Sequence, residues 1–172
     1  ERRTILGCIG DESLLEGIAL RSIPGVESVM PVLRPYKRAS VDFAAERTVV
    51  NAGFGARFGG NSLAIIAGPC SVENADMLEQ TAKSVRASGA SMLRGGAYKP
   101  RTSPYSFQGV GVEALKMLAE VRSQTGMPVV TEVLDTRHVD VVAEHADMLQ
   151  VGARNMQNFA LLAELGRVRR PV

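Results

Sequence analysis

The sequence has 172 residues, of which 45% are hydrophobic and 22% are charged, a balance typical of a folded domain and not of a disordered chain. With 20 basic and 18 acidic residues the net charge is only +2, which gives no overall attraction to nucleic acid or to a membrane surface, so any anion site must be a local cluster. No apolar run approaches the roughly 20 residues of a membrane helix. The chain has two cysteines, Cys8 and Cys70, which predict reduced thiols in a cytoplasmic protein and not a disulfide framework.

The first segment, residues 1–35, predicts a small β-α-β unit. Residues 4–9 have the pattern of a strand, residues 12–22 that of an amphipathic helix, and residues 26–33 that of a second strand. Because a unit of this size buries little core by itself, we expect it to be part of a ferredoxin-like β-α-β-β-α-β domain.

A linker and a β-hairpin are predicted over residues 36–62. The hairpin strands fall at residues 48–51 and 56–58, on either side of a glycine turn. The glycine-rich run over residues 53–60 lacks the spacing of a dinucleotide fingerprint, and a strand follows it instead of a helix. A turn is therefore favoured over a phosphate cradle.

Residues 63–172 contain four successive β-α units. The predicted strands cover residues 63–67, 91–94, 128–132 and 148–151, and the predicted helices cover residues 74–87, 112–124, 136–145 and 156–165. The first strand is an unbroken apolar run, which predicts burial on both faces. Because a helical crossover joins each strand to the next, we expect the four strands to be parallel.

Polar side chains follow each of these strands at its carboxyl end. They are Cys70 after the first strand, Arg94, Lys99 and Arg101 after the second, Glu132 at the end of the third and Arg154 after the fourth. The carboxyl ends of parallel strands form the ligand face of α/β folds, so these groups are expected to meet in one positively charged site.

The loop over residues 93–109, LRGGAYKPRTSPYSFQG, predicts a preorganised clamp for anionic groups. Gly95 and Gly96 would let the backbone approach a ligand closely, and Pro100 and Pro104 fix a non-helical path. Arginine supplies a planar fork of donors for phosphate or carboxylate, and lysine a compact charge. The alternative is a solvated basic loop.

Several single groups have structural alternatives. Cys70 is equally compatible with a buried small side chain, and Glu132 with a structural partner for a neighbouring arginine. His138 and His145 lie two helical turns apart, too far for an i, i+4 metal pair. We interpret both as surface or packing residues on a helix remote from the site.

Four ordered motifs resemble the 3-deoxy-D-arabino-heptulosonate-7-phosphate (DAHP) synthase family, and in particular its microbial group with an N-terminal ferredoxin-like regulatory domain. The motifs are GPCSVE at residues 68–73, LRGGAYKPRTSPYSFQG at residues 93–109, VVTEVL at residues 129–134 and VGARNMQNF at residues 151–159. The resemblance implies a (β/α)8 TIM barrel and a metal-dependent transferase. The implied reaction condenses phosphoenolpyruvate with erythrose 4-phosphate in the first step of the shikimate pathway, which leads to aromatic amino acids.

The resemblance also implies a divalent metal ion (Mn, Fe, Co, Zn or similar), a cytoplasmic homotetramer or homodimer, and allosteric control with an aromatic amino acid as candidate effector. Cys70 matches the metal-ligating cysteine of the family. Phosphoenolpyruvate contacts are matched by Arg94, Lys99, Ala153 and Arg154, and the aldose-phosphate loop by Lys99, Pro100, Arg101 and Thr102. Lys99 and Glu132 are the expected catalytic residues, with Lys99 at the developing alkoxide and Glu132 at C2 of phosphoenolpyruvate or guiding water onto it.

Two alternatives remain open. The 3-deoxy-octulosonate-8-phosphate synthases share the barrel and the phosphoenolpyruvate site and use arabinose 5-phosphate, but they carry a K-A-N-R type of loop where this sequence has KPRT at residues 99–102. A TIM barrel needs about 250 residues, so residues 63–172 accommodate four of the eight β-α units. We therefore expect a truncated chain, whose remaining metal ligands lie outside the sequence, and an inactive fragment that retains only ligand binding is the second alternative.

Overall fold

A computed structural model describes residues 4–31, 40, 46–61 and 63–172. The chain divides into two compact units, Glu1–Thr48 and Val49–Val172. Within the described ranges, no helix has both the length and the apolar character needed to cross a bilayer.

The described residues of the first unit form two short 3-10 turns joined by irregular backbone. The turns are Glu12–Leu15 and Leu20–Ser22, and the Asp11 carboxylate caps the first by accepting a hydrogen bond from the Ser13 amide at 3.0 Å. The predicted strand over residues 4–9 and the predicted helix over residues 12–22 are therefore wrong. The predicted strand over residues 26–33 is also wrong as far as residue 31.

Several large apolar side chains of this unit lie in solvent. Leu6 is 87% exposed, Leu14 76% and Met30 71%. A strand requires a neighbour to pair with and an amphipathic helix requires an apolar surface to cover, and the described part of this unit offers neither. The ferredoxin-like domain stays a prediction. Residues 32–33 and most of the predicted linker lie outside the described residues.

The second unit begins with the predicted β-hairpin, formed by β1 (Val50–Asn51) and β2 (Arg57–Phe58) in antiparallel pairing. The turn reading of the glycine-rich run is thereby confirmed. Ala52 of the hairpin is buried in a cluster with Met92 and Val130, which belong to the parallel sheet described next. The hairpin thus packs on one face of that sheet.

Four parallel strands form a single sheet in the order β3-β4-β5-β6, which confirms the predicted α/β fold. The strands are β3 (Ile66–Ala67), β4 (Met92–Arg94), β5 (Val129–Glu132) and β6 (Met148–Gln150), and the helices that follow them are α1 (Ala75–Ala87), α2 (Val112–Thr125), α3 (Val139–His145) and α4 (Phe159–Leu165). The 3-10 turns Thr136–His138 and Ala153–Asn155 precede the last two helices.

The main core lies between the helices and the sheet. Its fully buried side chains include Leu78 of α1, Leu115 and Leu118 of α2, and Leu149 of β6. Burying a leucine of this kind stabilises the fold by about 1.5–3 kcal/mol, so this layer anchors the carboxyl ends of the strands.

The strand β3 differs from its prediction. It covers only Ile66–Ala67 instead of residues 63–67, and it is not buried on both faces, since Leu63 is 86% exposed and Ile66 43%. The reason is its place in the sheet: β3 pairs with β4 on one side, and no described strand pairs with its other side.

Candidate active site

Four of the predicted site residues meet where β3, β4 and β5 end. Cys70 follows β3, Arg94 is the last residue of β4, Lys99 lies in the loop after it, and Glu132 is the last residue of β5. Direct contacts join them in the order Glu132, Arg94, Cys70 and Lys99. The structure therefore brings together side chains from three separate segments, as the strand-end argument predicts.

Lys99 is buried, and its ammonium group contacts Cys70. The side-chain nitrogen donates to the Cys70 carbonyl oxygen at 2.7 Å and to the Cys70 sulfur at 3.0 Å, although Lys99 is only 6% exposed. Gly96 makes this approach possible, because a Cβ atom on that residue would lie 2.6 Å from the Cys70 carbonyl oxygen. The close approach at Gly96 is therefore to the Cys70 backbone, and its predicted approach to a ligand stays a prediction.

The Cys70 thiol is exposed to solvent and surrounded by positive charge. The hydrogen bond from Lys99 and the charge of its ammonium group lower the pKa of the Cys70 thiol, and Arg94 contributes in the same direction. Thiolate is the form of cysteine that binds metals and attacks electrophiles. The alternative of a buried, inert cysteine is wrong.

Arg94 connects the two halves of the site. One nitrogen of its guanidinium group donates to the Cys70 carbonyl oxygen at 2.8 Å and another donates to Gln150 at 3.3 Å. The other terminal nitrogen lies 4.0 Å from a carboxylate oxygen of Glu132, which is itself buried. The Glu132 carboxylate packs against Gly152, where a Cβ atom would lie 2.0 Å from one of its oxygens.

The loop between β4 and α2 is held by hydrogen bonds along its length. The Ala97 amide donates to the Thr131 hydroxyl at 3.2 Å, and the Ala97 carbonyl accepts from the Gly111 amide at 2.9 Å. The Lys99 amide donates to the Gln108 carbonyl, also at 2.9 Å. The loop is therefore closed at its base, and backbone bonds fix its path in addition to the two prolines named above.

The remaining predicted residues take no part in the hydrogen bonds and the ion pair of this cluster. Pro100 is half-buried, Arg101 and Thr102 are exposed, and the Arg101 guanidinium donates to the Phe107 carbonyl at 3.3 Å. Ala153 and Arg154 lie on the 3-10 turn after β6 and are exposed. In the part of the chain that the structure describes, the Arg154 side chain has no hydrogen-bond or ion-pair partner.

Sequence reasoning missed three residues that shape the site, namely Thr131, Gln150 and Gly152. A polar residue one position before or at a strand end could have indicated the first two, whereas nothing in the sequence indicates that Gly152 faces Glu132. It also placed His138 remote from the site. The interpretation of His138 as a packing residue is confirmed, because its ring stacks on Tyr98. The expected remoteness is wrong, because Tyr98 is the neighbour of Lys99.

The described residues do not form a complete metal site. Among them, no group of three or more histidine, cysteine, aspartate or glutamate side chains could hold an ion. Cys70 offers one thiolate donor of a kind that suits zinc, iron and similar ions. A metal bound at Cys70 would therefore require ligands from outside the described residues.

Comparisons with known proteins agree on one family. A family model described as the DAHP synthetase I family matches residues 45–172. The phospho-2-dehydro-3-deoxyheptonate aldolase of Thermotoga maritima is 48% identical over 172 residues, which is 100% of this chain and 51% of that protein. The 2-dehydro-3-deoxyphosphooctonate aldolase of Bordetella petrii is 40% identical over 96 residues, 52% of this chain and 34% of that protein.

Solved structures give the same result. The crystal structure of the DAHP synthase from Thermotoga maritima superposes with a TM-score of 0.71 at 49% identity and covers 85% of this chain and 42% of that chain. A truncated form of the 3-deoxy-D-arabino-heptulosonate 7-phosphate synthase from the same organism gives a TM-score of 0.68 at 45% identity. The match covers 77% of this chain and 47% of that chain. The chain spans about half the length of the Thermotoga maritima relative and less than half of the Bordetella petrii protein.

Proposed function

Because the chain belongs to the DAHP synthetase I family, we propose that the protein condenses phosphoenolpyruvate with erythrose 4-phosphate to give DAHP and phosphate, the first step of the shikimate pathway. The observation that carries the proposal is the contact chain from Glu132 through Arg94 to Cys70 and Lys99 at the strand ends. It combines cations for an anionic substrate with a buried ammonium group and a buried carboxylate beside the reacting atoms.

Phosphoenolpyruvate carries a phosphate and a carboxylate, and the proposal assigns cations to both. Arg94 and Lys99 line the centre of the site, and the exposed Arg154, with the Ala153 backbone beside it, is available to the same substrate from the end of β6. The exposed Arg101 and Thr102 are assigned to the phosphate of erythrose 4-phosphate, together with Pro100 in the same loop. These assignments follow the resemblance.

The proposed reaction forms a bond between C3 of phosphoenolpyruvate and the aldehyde carbon of the sugar. The aldehyde oxygen becomes an alkoxide, which Lys99 stabilises and protonates, and its burial strengthens this interaction because the surrounding dielectric is low. The electron pair for the new bond comes from the enol double bond, so C2 becomes electron-deficient. Glu132 stabilises C2 or guides the water that attacks it, and phosphate then leaves.

We further propose a divalent metal ion with Cys70 as one ligand, whose lowered thiol pKa suits that role. Such an ion would polarise the aldehyde as a Lewis acid. Its other ligands would come from outside the described residues. Nothing in the steps assigned to Lys99 and Glu132 depends on its geometry.

The family resemblance also supports coarser proposals about the whole protein. These are a (β/α)8 barrel that includes the four β-α units, a ferredoxin-like regulatory domain, a homotetramer or homodimer, an aromatic amino acid effector and a cytoplasmic location. The parallel strand order β3-β4-β5-β6, with a helix after each strand, is compatible with the first half of such a barrel.

The second candidate is synthesis of 3-deoxy-octulosonate 8-phosphate from arabinose 5-phosphate. The similarity to octonate aldolases favours it, since several are 34–40% identical over part of the chain. The sequence KPRT at residues 99–102 opposes it. The two reactions share their chemistry and differ only in the acceptor sugar.

The decisive experiment offers both sugars to an enzyme built on this chain. Because the chain spans about half of the Thermotoga maritima relative, the test uses a chimera in which this chain replaces the part of that enzyme which it matches. Loss of phosphoenolpyruvate is followed after loading with a divalent metal, with erythrose 4-phosphate or arabinose 5-phosphate as acceptor.

Turnover with erythrose 4-phosphate, and its loss in a folded Lys99→Met chimera, would support the proposal. Preference for arabinose 5-phosphate would select the second candidate. A folded chimera that is inactive with both sugars would refute both. The 172-residue chain assayed alone tests the expectation of an inactive fragment.

A further inference from the structure

Tyr98 lies in the loop between β4 and α2, and it makes no hydrogen bond with the described residues. Its neighbours are tied down on both sides, Ala97 through the Thr131 hydroxyl and Lys99 through the backbone of Gln108. Within the described residues, Tyr98 itself makes no hydrogen bond. The position of this residue, and hence the direction in which the chain enters Lys99, must be set by packing of its ring.

The Tyr98 ring stacks on the ring of His138. The centroids are 4.4 Å apart and the planes differ by 9°. Stacked aromatic pairs stabilise a contact by more than the burial of their surface alone. The pair connects the loop after β4 to the 3-10 turn Thr136–His138 after β5, which are the segments that carry Lys99 and follow Glu132.

The buried ring nitrogen of His138 forms no hydrogen bond with the described residues. Its Nδ1 atom is inaccessible to solvent and has no hydrogen-bond partner among the described residues. A buried ring nitrogen without a hydrogen-bond partner destabilises a fold. What the histidine provides here is therefore the flat face of its ring, which lies against Tyr98.

We propose that His138 is a positioning residue for Lys99, acting through its ring stack with Tyr98. Together with the packing of Tyr98 against the main core, the stack supplies the contact that the backbone of Tyr98 lacks, so that the segment from Ala97 to Lys99 is held at every residue. Its effect on catalysis rests on the proposed function, whereas its effect on the loop does not. A small shift at Lys99 matters, because a misplacement of about 1 Å can reduce a rate about 100-fold.

The test compares an aromatic with an aliphatic replacement of His138. His138→Phe keeps a ring and removes the unpartnered nitrogen, and His138→Leu keeps apolar contact without a flat face. Amide hydrogen exchange of the 172-residue chain is measured first. We expect the Ala97 and Lys99 amides to exchange at least about tenfold faster in His138→Leu than in His138→Phe, while the amides of α1 keep their protection.

Kinetics in the chimera supply the second measurement. In His138→Leu kcat should fall by at least about tenfold, and His138→Phe should restore it. A purely structural role predicts instead that both variants change overall protection or melting temperature and leave kcat alone. If His138→Leu does not fold, Tyr98→Phe and Tyr98→Leu form the same comparison from the other ring.

Equal exchange at residues 97–99 in the phenylalanine and leucine variants would overturn the proposal. So would a loosened loop with unchanged kcat, since Lys99 would then need no such support. If the unsubstituted chimera is inactive, the proposed function fails, and the exchange comparison still decides whether the stack holds the loop.

Discussion

Gly152→Ala should remove most of the activity while leaving the fold intact. The backbone of Gly152 has φ −76° and ψ 158°, a conformation that alanine adopts without strain. The added methyl group therefore acts only through its contacts. It would lie 2.0 Å from a carboxylate oxygen of Glu132 and 2.9 Å from the carboxylate carbon.

The size of the effect follows from these distances. Ordinary contact begins near 3.4 Å, so the Glu132 oxygen must retreat by about 1.4 Å. Glu132 is buried beside Arg94, so the retreat disturbs the ion pair. A displacement of this size at a reacting group corresponds to a loss of about 100-fold in kcat. The loss of stability should be smaller, about 1 kcal/mol, because the end of a flexible side chain moves and not the backbone.

The assay measures kcat and the melting temperature of the metal-loaded chimera. Gly166→Ala is the matched control, since Gly166 also has a backbone that alanine adopts and its added methyl group would lie no closer than 3.4 Å to any other atom. Glu132→Gln is made alone and together with Gly152→Ala. If the glycine substitution acts through Glu132, it should reduce kcat only slightly further in the Glu132→Gln background.

Two results would refute this reasoning. Gly152→Ala with the kcat of the parent would mean that the observed position of the Glu132 carboxylate is not needed for turnover. Losses that add fully in the double variant would mean that the methyl group acts on something other than Glu132.

Three further predictions test the site and the scaffold separately. Because Lys99 stabilises the thiolate of Cys70 and lowers its pKa, alkylation of Cys70 by iodoacetamide should rise with pH at a lower midpoint than in Lys99→Met, and an identical midpoint would contradict the contact. Asp147→Ala should lower the urea unfolding free energy by about 1–3 kcal/mol, since it leaves the buried Val129 amide without its acceptor, whereas Asp147→Asn should lose less. Asn74→Ala should lose about 1 kcal/mol in the same assay by removing the cap of α1, and Asn74→Asp should retain it.

The second unit was largely predictable from sequence because local signals and packing agree there. The helix predicted over residues 74–87 is observed as Ala75–Ala87, with the asparagine before it as cap. Helices α3 and α4 begin three residues later than predicted. The 3-10 turn Thr136–His138 occupies the first positions predicted for α3, and a turn that ends at the cap Asn158 occupies those predicted for α4. One of these turns is capped by Asp135, whose carboxylate accepts from the Arg137 amide and whose pKa the Arg137 side chain lowers.

The first unit shows the limit of the same signals. Its apolar periodicity is real, yet the strand over residues 4–9 and the helix over residues 12–22 do not form in the described part of the chain. Periodicity predicts which face of an element is buried when a partner surface covers it. In this unit Ile5, Leu6 and Leu14 remain exposed, so the described residues provide no such surface. The β3 edge strand shows the same dependence on a neighbour.

In the candidate site, the sequence predicts which charged groups lie at the strand ends, but not which atoms from different loops come into close contact. Parallel strands bring their carboxyl ends together, so Arg94 and Glu132 could be placed near each other without coordinates. The sequence predicted that the backbone at Gly96 comes close to a ligand. In the structure the atom close to it is the carbonyl oxygen of Cys70, in the segment that follows β3. Such partners depend on the distance between loops, which residue type does not encode.

The arrangement of the charged groups therefore depends on residues that carry no functional group. A Cβ atom at Gly96, Gly109 or Gly152 would lie within 2.6 Å of an oxygen of Cys70, Ala97 or Glu132, respectively. Each of those oxygens is either a hydrogen-bond partner that holds the loop or part of the carboxylate that pairs with Arg94. If a site is held together in this way, exchanging one of its charged side chains removes one interaction, whereas adding a methyl group at one of these glycines displaces the groups around it. Alanine substitution at these positions should thus affect the geometry of the site more than its charge.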